Sequence, residues 1–183
     1  MLAAQTVWII LHHARSNPYR PLSNPRKSCT GKEARASMSA QPELTLGRVE
    51  TWLSQRGIAA GPEEDGAVFM GFPGCDIGVY LHDDEAALVV AGMWRGRPAA
   101  DRLDEMRAFI DAQHRSTYGP DLAVTPAHDS SRLLLSTQMV AYIGAGMSDA
   151  QLDAFMDMGL GMTRAFFSTV EERFPELVTW EED

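Results

Sequence analysis

The clearest pattern of apolar and polar positions in this chain lies near its end, between Ser148 and Phe174. Apolar or small residues recur there at steps of three and four, which places them in one stripe along a helix. Ser148, followed three positions later by Gln151, has the pattern of a capping box, and Pro175 ends the helix because proline lacks an amide hydrogen. We predict a helix of roughly 25 residues with a buried stripe. The stripe consists of Leu152, Phe155, Gly159, Met162, Phe166, Val170 and Phe174.

Two glycines, Gly159 and Gly161, fall inside this predicted helix. Each weakens a helix by about 1 kcal/mol relative to alanine. Gly159 lies on the apolar stripe, so we expect it to allow another element to approach the helix closely.

Shorter patterns upstream predict two more helices and five strands. Runs with helical spacing alternate with short runs typical of strands, and turn residues separate them. Because the turns are short, neighbouring strands should pair antiparallel. The order helix, three strands, helix, two strands, helix indicates an α+β fold with an antiparallel sheet. The predicted helices are Leu44–Ile58 and Asp101–His114, and the predicted strands are Ala67–Phe72, Cys75–His82, Ala87–Trp94, Leu122–Thr125 and Arg132–Tyr142.

The first 37 residues differ from the rest of the chain. The apolar run Val7–Leu11 is too short to span a membrane, and the first basic residue, Arg15, follows it instead of preceding it as in a secretory signal. The remainder of this segment is rich in proline, serine, asparagine and basic residues without periodicity, a composition typical of disorder. We predict that residues 1–37 are a disordered basic extension, for which a mis-assigned start before Met38 is one explanation, and that 38–183 form a single domain.

Net charge also distinguishes residues 1–37 from residues 38–183. The chain holds 16 basic and 25 acidic residues, and 1–37 contain six of the basic residues and one acid. Residues 38–183 therefore hold ten arginines and 24 acids, a net charge of −14. A body of that charge disfavours binding to nucleic acid or to an anionic membrane surface.

Cys75 is the strongest candidate nucleophile, and histidines are the candidate bases. His82 lies seven residues along the same predicted strand, roughly 23 Å away at about 3.3 Å per residue. His114 and His128 could approach Cys75 only through the fold. A second cysteine, Cys29, lies in the segment of opposite character, so a reducing cytosol fits better than a disulfide framework. We interpret Cys75 as a small buried residue, and keep a small enzyme using Cys75 or a histidine as an alternative.

Acidic residues are the candidate metal ligands. Asp149, Asp153 and Asp157 stand four apart on one face of the predicted final helix. Side chains one turn apart rarely converge on one cation, so we interpret them as a solvated acidic face. The turn 82–85, with one histidine and three carboxylates, is interpreted as a polar turn because consecutive side chains splay apart. The glycines at 144 and 146 lack the third glycine of a dinucleotide loop and indicate a connector. We expect no metal ion and no cofactor.

Four stretches of this chain resemble the YbjN domain proteins, which are similar in fold to type III secretion chaperones. They are LTLGRVETWLSQRGI, IGVYLHDDEAALVVAGMWRG, DRLDEMRAFIDAQHR and GMSDAQLDAFMDMGLGMTRAFFSTVEERFPEL. The resemblance covers about residues 44–177. It implies a bacterial protein with a five-stranded antiparallel sheet and packed helices, frequent dimers, and no catalytic residue.

Two regions supply a candidate partner surface. Arg95 and Arg97 follow Trp94 and could grip an acidic or aromatic surface, although a solvated loop is the simpler interpretation. Met156 and Met158 add apolar surface beyond what one helix face needs, and methionine adapts readily at recognition surfaces. We therefore expect a weakly held homodimer.

The function that these observations favour is protein binding without catalysis. We expect a chaperone-like or regulatory adaptor in the cytoplasm, with another protein, of unknown identity, as its partner and no membrane association. Besides the enzyme alternative, the basic segment 1–37 could contact nucleic acid, which the charge of the body opposes.

Overall fold

The computed structural model describes residues 41–61, 66–82 and 86–180. These residues form three α-helices and one five-stranded sheet in the predicted order, which confirms the predicted fold class. The helices are α1 (Leu46–Gln55), α2 (Leu103–Ser116) and α3 (Asp149–Arg173). The strands are β1 (Ala67–Phe72), β2 (Cys75–His82), β3 (Ala87–Trp94), β4 (Asp121–Pro126) and β5 (Leu133–Tyr142), and short 3-10 turns cover Ala100–Arg102 and Pro175–Leu177.

The strands of the sheet lie in the order β1-β2-β3-β5-β4, and every neighbouring pair is antiparallel. Pro73 and Gly74 form a tight turn between β1 and β2, as the short linker predicted, and β2 pairs with β3 from Cys75–Trp94 to His82–Ala87. After β3 the chain passes through α2 to the edge strand β4 and returns as β5 beside β3. The six-residue β4 pairs only with Leu133–Gln138, so the last four residues of the ten-residue β5 extend beyond it.

Helix α3 packs on the middle of the sheet. A β-carbon built on Gly159 would lie 3.2 Å from the side chain of Val90, so the absence of a side chain sets the distance between helix and sheet there. Gly92 of β3 has the same role, because a β-carbon on it would overlap Thr137 and Thr163. These two buried threonines share a hydrogen bond of 3.1 Å between their hydroxyls. The close approach predicted for Gly159 is confirmed, and the matching role of Gly92 was not predicted.

The predicted start of α3 is confirmed, but α1 is shorter than predicted, Leu46–Gln55 instead of Leu44–Ile58. Ser148 caps α3 through the complete capping box with Gln151. Helix α1 ends at Gln55 because Gly57 adopts a positive φ of 65° and its amide donates to the Ser54 carbonyl. The predicted start of α2 at Asp101 is instead a 3-10 turn, and α2 runs two residues past the predicted end to Ser116.

The core lies between the helices and one face of the sheet. Most of the predicted stripe on α3 is buried, and Phe166 packs against Phe167 and Phe109 with ring centroids 5.4 and 6.1 Å away. Strand β3 is buried along its whole length, so its side chains are covered on both faces of the sheet. Large side chains that are less than 2% exposed include Trp94, Phe174, Leu53, Ile77, Leu88, Met106 and Met156.

Residues 42–183 form one compact unit. The predicted extension 1–37 lies outside the described residues, so its disorder and its dispensability stay predictions. Within the described part of the chain, no helix is both long and apolar enough to cross a membrane.

Candidate functional site

Trp94 is buried and joins β3 to the end of α3. The indole Nε1 donates to Glu171 Oε1 at 3.2 Å, and the ring of Trp180 meets the indole edge-on with centroids 5.9 Å apart. The Trp94 side chain is 0% exposed. Its predicted place on a partner surface is therefore wrong, because an indole that fills the core presents no area to a partner.

The two arginines after Trp94 have different surroundings. Arg95 is exposed and pairs with Asp76, with N–O distance 3.2 Å. Arg97 is half-buried and donates to the backbone carbonyls of Trp94 and Gly96, while burial lowers the pKa of its guanidinium from the usual value. Arg97 thus holds the chain after β3 in place, and only Arg95 is exposed to solvent.

The two methionines of the predicted surface also separate. Met156 is 0% exposed, whereas Met158 is 46% exposed. Met156 turns into the core because it lies one position from Phe155 on the side of α3 that packs on the sheet. Met158 precedes Glu171, the partner of Trp94, by 13 positions, or roughly 20 Å along a helix at about 1.5 Å per residue. The five predicted residues therefore do not form one surface.

Cys75 has the surroundings of a structural cysteine. It is 1% exposed, and burial, followed by the nearby Asp76 carboxylate, raises the pKa of its thiol to about 11. His82 lies at the other end of β2 and, by strand alternation, on the opposite face of the sheet. His114 accepts a hydrogen bond from the Leu122 amide at 3.3 Å, which ties α2 to β4. The fold brings none of these histidines to Cys75 as a general base.

The acidic face of α3 binds the arginines of α1. Asp149 pairs with Arg48 at 2.6 Å. Asp153 contacts Arg56 and accepts a hydrogen bond from the indole of Trp52. Four charged or polar contacts, here called the α1–α3 clamp, hold the two helices together. They are Arg48–Asp149, Arg56–Asp153, Arg56–Asp157 and Trp52–Asp153. The side chains of the three aspartates are 94%, 48% and 60% exposed, so the interpretation as a solvated acidic face holds, and the ion pairs with the arginines are added to it.

A sequence signal for this α1–α3 clamp existed. Arg48, Trp52 and Arg56 repeat at the same spacing of four as the three aspartates. Arginines on one helix that match the spacing of aspartates on another favour a side-by-side arrangement, because opposite charges attract. The guanidinium of Arg56 also stacks on the Trp52 ring, 3.8 Å from its centroid. Among the described residues no three acidic, histidine or cysteine side chains are placed to hold a metal ion.

Of the other two loop motifs, the glycines at 144 and 146 lie within the described residues. Gly146 follows a tight turn in which its amide donates to the Ile143 carbonyl at 2.7 Å, which agrees with a connector. Of the turn 82–85, only His82 lies within the described residues.

The most ligand-like feature is an apolar cleft between α2, α3 and the start of β4. Its volume is about 290 Å³. Its lining contains no aspartate, glutamate, lysine or arginine. Tyr118, at its rim, is 97% exposed. The cleft is lined by Gln113, His114, Thr117, Tyr118, Gly119, Pro120, Leu122, Met162, Ala165, Phe166 and Thr169. Sequence reasoning missed it because its walls come from three separate elements.

These features define a small α+β domain with an apolar cleft and a buried cysteine. A family profile described as "Putative bacterial sensory transduction regulator" matches residues 45–172. The chain belongs to this family, the YbjN family, as its sequence motifs indicated.

Solved structures agree with the fold. YbjN from E. coli, described as "a putative transcription regulator", superimposes with a TM-score of 0.60 at 16% identity, covering 71% of this chain and 93% of YbjN. The ExsC-ExsE complex matches with a TM-score of 0.37 at 14% identity, covering 67% of this chain and 96% of that one. A similarity as low as the second leaves the likeness to a secretion chaperone as a prediction. No curated protein matches the sequence.

Proposed function

We propose that this protein is a non-enzymatic regulator that acts in the cytoplasm, in a chaperone-like manner, by binding a segment of another protein in the cleft between α2 and α3. The observation that carries the proposal is the apolar, uncharged lining of that cleft. Membership of a family described as sensory transduction regulators supports a role in binding instead of catalysis.

The chemistry of the cleft and of the body defines the segment. A cleft of about 290 Å³ accommodates one or two large apolar side chains, with Met162 and Phe166 as the floor. Residues 38–183 carry a net charge of −14, which attracts a basic partner over long range. We infer that the bound segment places an aliphatic or aromatic residue in the cleft and has lysine or arginine beside it.

Displayed random peptides selected on the immobilised protein test this proposal. We expect enrichment of peptides that combine an apolar anchor with flanking basic residues. Ala165→Arg, which fills the cleft with a charged side chain, should weaken binding of the selected peptides by about tenfold or more. Ala108→Arg is the matched control, because Ala108 is an equally exposed alanine on α2 that does not line the cleft.

Titration calorimetry of each selected peptide on the three proteins gives the result. Weaker binding by the Ala165 variant alone supports the cleft. An equal effect of the two variants would place binding elsewhere or assign it to charge alone, and peptides without apolar anchors would contradict the proposal.

We also infer that the protein forms a weakly held homodimer. Of the two methionines that suggested self-association, Met156 is buried, so Met158 is the one that offers an exposed side chain. Dimerisation and partner binding are separate proposals, because Met158 does not line the cleft.

A further inference from the structure

The last residues of β5 present an open edge of the sheet. The Ile143 amide donates to the Ala86 carbonyl at 2.7 Å, on the β3 side. Backbone groups alternate in direction along an antiparallel strand, so Ala141 also pairs with β3. Val140 and Tyr142 direct their N–H and C=O groups to the other side, where β4 has already ended opposite Gln138. No described residue pairs with those groups.

The large apolar side chains that are exposed gather around this edge. Val140 is 39% exposed and Tyr142 80% exposed, and both belong to it. Tyr118 lies in the loop just before β4, at the same end of that strand. The described part of the chain has four large exposed hydrophobic side chains, and the fourth is Met158.

The register of the sheet places Met158 above the open edge. Gly159 packs on Val90, and Val90 pairs with Met139 of β5. Met158 therefore lies at the level of Met139 and Val140. It precedes Met162 by one helical turn, so it points to the same side of α3, the side of the cleft and of β4.

The edge also lacks the features that prevent strands from pairing with other chains. Natural edge strands are protected by charged side chains, proline or bulges. The stretch from Met139 to Tyr142 reads Met-Val-Ala-Tyr, with no charge and no proline. An open, uncharged and apolar edge is expected to be covered by another strand.

We propose that this edge is covered by the same edge of a second copy, with the two-fold axis at Ala141. The proposal specifies the contact of the weak homodimer inferred above. In this register Val140 lies opposite the partner's Tyr142, and Tyr142 lies opposite the partner's Val140. Both residues direct their backbone groups outward, so each of the two pairs forms two hydrogen bonds and the sheet continues through both copies.

The side chains also fit a second copy. Val140 and Tyr142 extend from one face of the sheet, where an aromatic ring beside a β-branched residue is a favourable cross-strand pair. On the other face, Met158 lies close to the level of the axis, so it meets the partner's Met158. A single two-fold contact thus accounts for the exposure of Val140, Tyr142 and Met158, and it places Tyr118 at the rim.

Replacing Val140 by proline tests the pairing. Proline removes the outward amide hydrogen, which has no partner among the described residues, and is tolerated at edge positions of this kind. Light scattering over a concentration series should give a dimer for the wild type and a dissociation constant at least about tenfold higher for Val140→Pro. Val140→Thr, which keeps the amide and the branched side chain, is the control and should dimerise like the wild type. Circular dichroism verifies that both variants fold.

A cysteine pair tests the register independently. In a Cys29→Ser background, Ala141→Cys should form an intermolecular disulfide on mild oxidation, because residue 141 faces its own copy at about 4.5 Å between α-carbons. Tyr142→Cys should not, because that residue faces position 140 of the partner. A wild type that stays monomeric at high micromolar concentration would overturn the dimer itself. A dimer whose dissociation constant is unchanged in Val140→Pro, and which does not cross-link through position 141, would overturn this contact alone. Neither result bears on peptide binding at the cleft.

Discussion

At the scale of single residues, Cys75 decides between an enzyme and a binding protein. A catalytic thiol needs a lowered pKa, exposure and a nearby base. The structure gives Cys75 a pKa of about 11 and almost no exposure. Both effects come from the packing of β2 under α3, since desolvation disfavours the charged thiolate.

We predict that Cys75 is unreactive in the folded protein. In a Cys29→Ser variant, alkylation by iodoacetamide at neutral pH should be at least about a hundredfold slower than in urea, because a pKa two units above the ordinary 9.0 lowers the thiolate fraction by that factor. Mass spectrometry of the alkylated chain follows the reaction. A folded protein that reacts as fast as the unfolded one would show an accessible thiolate and revive the enzyme alternative.

Because the pKa of the Cys75 thiol is raised in the folded protein, the free energy of unfolding depends on pH. The unfolded thiol ionises near its ordinary value of 9.0, whereas the folded thiol stays protonated to about 11. The contribution of Cys75 is therefore fully present below pH 9 and is lost as the pH rises from 9 towards 11. Urea denaturation between pH 8 and 10 should show this loss in the Cys29→Ser protein, and the Cys75→Ala variant of that protein should lack it.

At the scale of elements, the two glycines of α3 have opposite surroundings. A β-carbon on Gly159 would lie 3.2 Å from Val90, in a buried position, whereas one on Gly161 meets nothing within 4 Å. Both glycines weaken the helix equally by propensity. The difference between them is therefore a direct measure of how closely α3 packs on β3.

We predict that Gly161→Ala stabilises the protein and Gly159→Ala does not. The first should raise the free energy of unfolding by about 0.5–1 kcal/mol. The second adds a methyl group against a branched side chain that cannot move away, and overpacking of this kind costs about 1–3 kcal/mol. Urea denaturation at low protein concentration gives both values. If both variants gained stability equally, α3 would not lie directly on Val90.

The α1–α3 clamp joins elements that are far apart in sequence. Asp153 and Arg56 are 97 positions apart, and their side chains are about half and one third exposed. Exposed ion pairs are worth about 0–1 kcal/mol, but here the guanidinium is also fixed by stacking on Trp52.

A double-mutant cycle measures that clamp. Arg56→Ala combined with Asp153→Ala should show a coupling free energy of about 0.5–1 kcal/mol, falling in 1 M salt because exposed charges are screened. The control cycle combines Asp153→Ala with Arg107→Ala. Arg107 is an exposed arginine of α2 with no ion pair among the described residues, so the two losses of stability should be additive. Coupling of zero for Arg56 and Asp153 would mean that the contact contributes no stability.

At the scale of the whole molecule, the change in composition lies close to residue 40, where the compact unit begins. The composition changes near Met38, and residues 42–183 form a compact unit. The amide of Met147 donates to the carbonyl of Pro42 at 2.9 Å, so the segment just before α3 is hydrogen-bonded to the first residue of this unit.

We predict that a protein of residues 38–183 folds with the same thermal midpoint as the full chain. The reason is that the three helices already supply a continuous core on the sheet. Differential scanning calorimetry of both proteins makes the comparison. A midpoint several degrees lower for the shorter protein would show that residues 1–37 stabilise the domain.

The sequence by itself determined the elements and their order. Helical and strand periodicities are local, and the signals at the ends of α1 and α3, such as Gly57 and the Ser148 capping box, act within a few residues. The motifs therefore also led to the correct family. Short turns between strands determined the antiparallel pairing for the same reason.

Only the tertiary structure decided which residues meet. Trp94 and Met156 are of residue types that are common at recognition surfaces, but the packing of α3 on β3 buries both. The open edge arises because β5 is longer than β4, and the cleft forms where α2, α3 and the start of β4 meet. Strand order and burial depend on the sum of many weak contacts between distant segments, and no local pattern records that sum.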